Sequence, residues 1–64
     1  MKRRDFEQHL ARHGCVFLRE GKRHTVFTNP ANGKNSTVPR HTELRTGLVI
    51  RICRDLEVPT PFRS

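Results

Sequence analysis

The chain has 64 residues, with 13 Lys and Arg against 6 Asp and Glu, a formal charge of +7 and a sequence pI near 11.1. This length supports one small domain over residues 1–64, close to the lower limit at which a hydrophobic core offsets chain entropy, so a partner is an expected supplement. The charge points to a polyanion or an acidic protein surface, and no apolar run is long enough to span a bilayer or to follow Met1-Lys2-Arg3-Arg4 as a signal peptide, so a cytoplasmic location is expected.

Phe6 and Leu10 stand four apart, which places them on one face of a helix predicted over residues 5–13. Asp5 is read as its cap, Gln8 completes a capping-box pattern, and Gly14 offers the left-handed conformation that ends a helix. His9 and His13, also four apart, could pair on a metal, but no third ligand accompanies them and they are read as surface histidines. No metal or cofactor is expected.

Residues 15–19 form a compact apolar run that closes at Glu20-Gly21 and reads as a strand. Residues 24–29 and 36–38 follow as a hairpin joined by turn-forming residues between Pro30 and Asn35. Pro39 lacks a donor and suits a strand end, which makes residues 40–45 a connecting loop. From Thr46, the positions Leu48, Val49, Ile52, Cys53 and Leu56 form a broad apolar helical stripe, with Arg51, Arg54 and Asp55 facing outward. Pro59 and Pro61 stop this helix, leaving a short flexible tail from about residue 59. Cys15 and Cys53 sit in apolar patterns and are expected as two buried thiols rather than a disulfide. Phe6, Phe17 and Phe27 are assigned to the core, with Phe62 as the exposed ring.

The resulting fold class is α+β, in the order α-β-β-β-α, with a three-stranded antiparallel sheet and both helices on one of its faces. Double-stranded-RNA-binding domains share this order. If Asn29 lies opposite Asn35 or Ser36, then His24 lies opposite Arg40 or His41 at the hairpin mouth. Lys22, Arg23, His24, Arg40 and His41 then gather at one end of the sheet, with Arg19 reaching from the neighbouring strand. Such a cluster suits RNA, because attack of a 2′-hydroxyl on its own phosphate needs a base, an acid and cations on the phosphate oxygens. A histidine at a strand start is also commonly just a solvated polar residue. A non-catalytic RNA-binding module and a basic protein that only docks an acidic partner are the alternatives.

With these residues in place, the chain resembles the HicA family of type II toxin–antitoxin toxins. The markers are Gly14, Arg19, His24, Asn29-Pro30, Val38-Pro39-Arg40-His41 and the closing helix through Ile52 to Leu56. The family's motif places a glycine two positions before its histidine; here Lys22 holds that place and Gly21 stands one residue earlier. Thr46-Gly47 likewise reverses the Gly-Thr pair of many relatives. The resemblance implies a double-stranded-RNA-binding-domain-like fold and an mRNA interferase, an endoribonuclease, with His24 as its catalytic residue; with no clustered carboxylates to hold magnesium, its catalysis is expected to be metal-independent. The cations gathered by the hairpin register, Lys22, Arg23 and Arg40, with Arg19 and His41 beside them, are the candidate RNA-binding residues. The resemblance further implies neutralisation by a HicB-type antitoxin, through which alone DNA would be contacted.

Overall fold

The structure, a computed structural model, describes residues 1–62. Its elements are α1 (Arg3–Arg12), β1 (Val16–Glu20), β2 (His24–Asn29), β3 (Lys34–Pro39) and α2 (Thr46–Leu56), in the expected α-β-β-β-α order. The sheet is antiparallel and ordered β1-β2-β3, so β2 is central and both other strands are edges.

Helix α1 starts two residues before the expected position, because its first turn is held from outside. Lys2, not Asp5, precedes the helix and makes no side-chain cap. Instead the Arg3 amide donates to the Thr42 carbonyl (2.8 Å), and Met1 and Leu44 exchange two backbone hydrogen bonds (2.7 and 2.9 Å). These contacts satisfy amides that a helix start otherwise leaves unpaired. They also organise the segment expected as a plain loop over residues 40–45. At the other end, Gly14 adopts φ 83°, and the Cys15 amide returns to the Leu10 carbonyl at 2.9 Å, as the glycine predicted.

The core is built from Phe6, Leu10, Cys15, Phe27, Val38, Val49, Ile52, Cys53 and Leu56, all in the predicted helices and strands, and from Leu44, which comes from the segment expected as a connecting loop. Along β2, Thr25, Phe27 and Asn29 face the helices. Thr25 meets α1 through the Arg3 guanidinium (2.8 Å), and Asn29 meets α2 through the Leu56 carbonyl (2.9 Å), so both helices lie on the same face of the sheet. His24, Val26 and Thr28 alternate onto the open face.

Three aromatic and imidazole assignments are corrected. Phe17 is not core: every residue of β1 is exposed, and Phe17 is 54% exposed because neither helix extends over this edge strand. Phe62 is instead partly buried against the core. His9 is buried rather than on the surface, with Nε2 only 2.6 Å from the Pro59 carbonyl oxygen. A carbonyl can only accept, so Nε2 carries the proton. That bond, with Phe62, ties down the segment read as a loose tail; the remainder of that tail, residues 63–64, lies outside the described residues. Cys15 and Cys53 are both buried free thiols, as expected.

Helix α2 ends with Glu57 in the left-handed region at φ 58°, its amide and that of Val58 returning to the Arg54 and Cys53 carbonyls. A side chain with a Cβ is strained there, and Pro59 two residues on prevents continuation.

Candidate functional site

The hairpin between β1 and β2 closes on Gly21-Lys22-Arg23-His24. Glu20 and Thr25 are the last paired residues, and the Gly21 amide donates to the His24 carbonyl at 2.7 Å. A Cβ at Gly21 would stand 3.2 Å from that same carbonyl oxygen, tighter than ordinary contact. The turn therefore needs its glycine at 21, while Lys22 has no left-handed φ to accommodate. This explains why lysine is tolerated at 22.

Beneath the turn runs a polar chain from α1 to the loop after β3. Arg3 donates to the Thr25 hydroxyl (2.8 Å) and to the Pro39 carbonyl (3.1 Å), and Thr25 donates to Glu20 Oε1 (2.9 Å). The other carboxylate oxygen of Glu20 pairs with the Arg40 guanidinium, which also donates to the Gly21 carbonyl. Arg3 is held further by an ion pair with Glu7 at 3.1 Å. Each donor here has an acceptor, so the network restrains the backbone that presents His24. Arg3, Glu20 and Thr25 were not singled out from the sequence, since their convergence depends on the packing of α1 against the sheet.

The hairpin register differs from the expected one. Asn29 pairs with Lys34 and His24 with Pro39, so neither Arg40 nor His41 stands opposite the histidine. The turn is shorter than assumed because the carbonyl of Asn29 accepts from both Asn32 (3.2 Å) and Gly33 (2.8 Å), with Gly33 at φ 72°. Strand β3 accordingly begins two residues earlier, at Lys34 rather than Ser36.

The sequence-derived residues are distributed as follows. Lys22, Arg23 and His24 are exposed together in the turn, and neither cation has an ion-pair partner among the described residues. Arg40 is half-exposed and engaged by Glu20 and the turn backbone. His41 is exposed in the loop that follows. Arg19 is exposed on β1 opposite Val26, two pairs from His24 on the open face.

His24 also lines a groove of about 300 Å³ with Ser36, Thr37, Pro39, Leu48, Arg51, Ile52 and Asp55. Ser36 and Thr37 point to opposite faces of β3, so the groove opens around the free edge of that strand. On α2, Leu48, Arg51, Ile52 and Asp55 recur at helical spacing and form its other wall. Asp55 is held by the Ser36 hydroxyl at 3.1 Å. The i, i+3, i+4, i+7 spacing marks these four as one face. Its juxtaposition with His24 rests on α2 packing beside β3, a contact between distant segments.

The site thus combines an exposed imidazole, two cations in the same turn, and a mainly polar groove whose helical wall carries both Arg51 and the Asp55 carboxylate. Such an arrangement can draw in a phosphodiester and place an imidazole beside it. Among the described residues no three His, Cys, Asp or Glu side chains converge in a way that would hold a metal ion. No helix among them is long and apolar enough to cross a membrane.

Neither a curated protein nor a solved structure matches this chain. A protein-family model does, and it covers residues 3–58, from the first residue of α1 to just past the end of α2. The matched family is described as the HicA toxin of bacterial toxin–antitoxin systems, and this chain belongs to it.

Proposed function

We propose that the chain is the RNA-cleaving toxin of its toxin–antitoxin pair, a metal-independent mRNA interferase that acts through His24. The observation that carries this reading is the placement of His24. It leaves a turn fastened by the Gly21 hydrogen bond and by the Arg3–Thr25–Glu20–Arg40 network, with Lys22 and Arg23 exposed beside it, and it borders a groove that Arg51 also lines.

In this reading Lys22 and Arg23 hold the scissile phosphate, and Arg51 receives a neighbouring one across the groove. His24 then accepts the proton of the attacking 2′-hydroxyl or donates one to the leaving 5′-oxygen. The phosphorus–oxygen bond to the leaving group breaks as the bond to the 2′-oxygen forms, giving a cyclic phosphate and a 5′-hydroxyl. Arg40 serves chiefly to hold the turn, while Arg19 and His41 extend the cationic path on either side. One positioned acid or base contributes on the order of 10²–10⁴-fold, so a slow regulatory nuclease fits better than a digestive one. A HicB-type antitoxin is the proposed inhibitor, and DNA is reached only through it.

The test is incubation of purified protein with RNA in EDTA, wild type beside His24→Ala. Wild type should produce new RNA ends and the variant should produce none while melting at the same temperature. Cleavage by a folded His24→Ala protein would remove His24 from the chemistry. Salt-sensitive RNA binding by wild type without scission would make the chain a binding module instead.

A further inference from the structure

Asp55 stands apart from the other acidic residues. Four of the six, Glu7, Glu20, Glu43 and Glu57, form ion pairs with Arg3, Arg40, the Met1 amino group and Lys34. Asp5 lies in the first turn of α1, where the positive end of the helix dipole favours a carboxylate. Asp55 is the penultimate residue of α2, at the dipole's negative end, and among the described residues it has no cationic partner although Arg51 is one turn away. Its Oδ2 accepts instead from the hydroxyl of Ser36, a buried residue of β3, at 3.1 Å. A strand residue thus fixes a carboxylate that neither the helix nor ion pairing favours, and it fixes it in the wall of the groove at His24.

The chemistry of that wall selects its occupant. A groove of about 300 Å³ is at the small end of ligand sites and suits one planar ring, with Leu48, Ile52 and Pro39 as apolar surface. An ionised carboxylate only accepts hydrogen bonds, so it repels phosphate and calls for a group rich in donors. In an RNA strand such groups are base edges. Uracil sets its one N3–H between two carbonyls, and adenine and cytosine each set an amino group beside an acceptor nitrogen. Guanine alone places two donors, N1–H and N2–H, side by side on its Watson–Crick edge. Two parallel N–H groups match the two oxygens of a carboxylate, which have capacity left beyond the single bond from Ser36. Pairing in a duplex hides this edge, so the base must be unpaired.

We propose that the groove between β3 and α2 is a nucleobase subsite for an unpaired guanine of the RNA, with Asp55 accepting from N1–H and N2–H and Ser36 holding Asp55 in place. This rests on the RNA reading of the His24 site and adds to it a preference for guanine beside the phosphate that Lys22 and Arg23 hold.

The test measures binding of the full chain to short 2′-O-methyl oligouridine strands, which lack the attacking hydroxyl and carry guanine, inosine, adenine, cytosine or uracil at one central position. The guanine strand should bind at least roughly tenfold more tightly than the adenine, cytosine and uracil strands, the discrimination of a bidentate base contact. Inosine keeps N1–H but lacks the N2 amino group, so it should lose most of that advantage with the protein unaltered. Asp55 is exposed, and thermal melting checks that Asp55→Asn keeps the fold. This variant should bind the guanine and uracil strands alike and, with one negative charge fewer, should hold the uracil strand no more weakly than wild type. A purely structural Asp55 would weaken every strand together. Equal binding of all five strands by wild type, preference for another base, or a guanine preference that survives in folded Asp55→Asn overturns the proposal. Absence of binding to every strand overturns the RNA reading along with it. Guanine preference without scission of the matching ribose strand upholds the subsite and removes the catalytic reading alone.

Discussion

Asn29 joins the hairpin that carries His24 to the helix that forms the opposite wall of the groove, and its replacement has a calculable cost. It is 6% exposed, donates from Nδ2 to the Leu56 carbonyl at 2.9 Å and accepts the Ala31 amide on Oδ1 at 3.1 Å. Asn29→Ala removes both bonds. At about 1 kcal/mol each, with a further contribution from the vacated volume, the loss should be about 2–3 kcal/mol. The Leu56 carbonyl keeps the Asn32 side chain at 3.2 Å, which prevents a larger penalty. A chain of this size has a total stability of roughly 3–10 kcal/mol, so the variant should stay mostly folded at 25 °C with a Tm lower by roughly 10–20 °C. Asn29→Asp sharpens the test. Its carboxylate can still accept from Ala31 but would face the Leu56 carbonyl oxygen, so it should be worse than alanine at neutral pH. It should recover partially in acid, where a protonated carboxyl can donate to Leu56. Thermal and urea unfolding followed by circular dichroism measure both. A loss below about 0.5 kcal/mol for Asn29→Ala, or no acid recovery for Asn29→Asp, would refute the assigned bonds.

Burial pushes the Cys15 thiol up from its ordinary value, and pushes Cys53 up too, with the Cys15 charge raising it further. Both should therefore resist a thiol reagent in the native protein and react promptly in urea. A neutral thiol is favoured in the folded state, so this contribution is complete below the unfolded thiol value of about 8.5 and declines as pH rises through the higher folded value. Stability measured from pH 7 to 10 should fall at the alkaline end, and less so in a Cys53→Ala background. Arg40→Ala should cost at most about 1 kcal/mol, since its ion pair is half-exposed, yet it should lower RNA cleavage by loosening the turn at His24. If it instead weakens RNA binding with the cleavage rate of bound RNA unchanged, Arg40 is a phosphate ligand. Glu57→Gly should raise stability by up to about 1 kcal/mol, read from the melting curve, because glycine relieves the left-handed φ at the end of α2.

What the sequence by itself determined was the local grammar. Gly14 announced the end of α1, the apolar stripe from Leu48 to Leu56 defined α2, and Asn29-Pro30 and Pro39 bracketed the turn and the end of β3. These signals act over a few residues, where backbone sterics and side-chain period suffice. The exposed group Lys22, Arg23 and His24 was legible for the same reason, being contiguous. The tertiary structure decided everything that depends on which distant segments meet. Phe17 looked like core, but burial needs a helix above it and none reaches β1. His9 looked like a surface residue, but Pro59 returns to it from fifty positions away. Hairpin register turned on two hydrogen bonds to the Asn29 carbonyl, and a small slip there replaced Arg40 and His41 with Pro39 opposite His24. Arg51 and Asp55 became walls of the groove only because α2 lies along β3. Local propensity carries no information about such pairings, which are selected by the burial of one shared core.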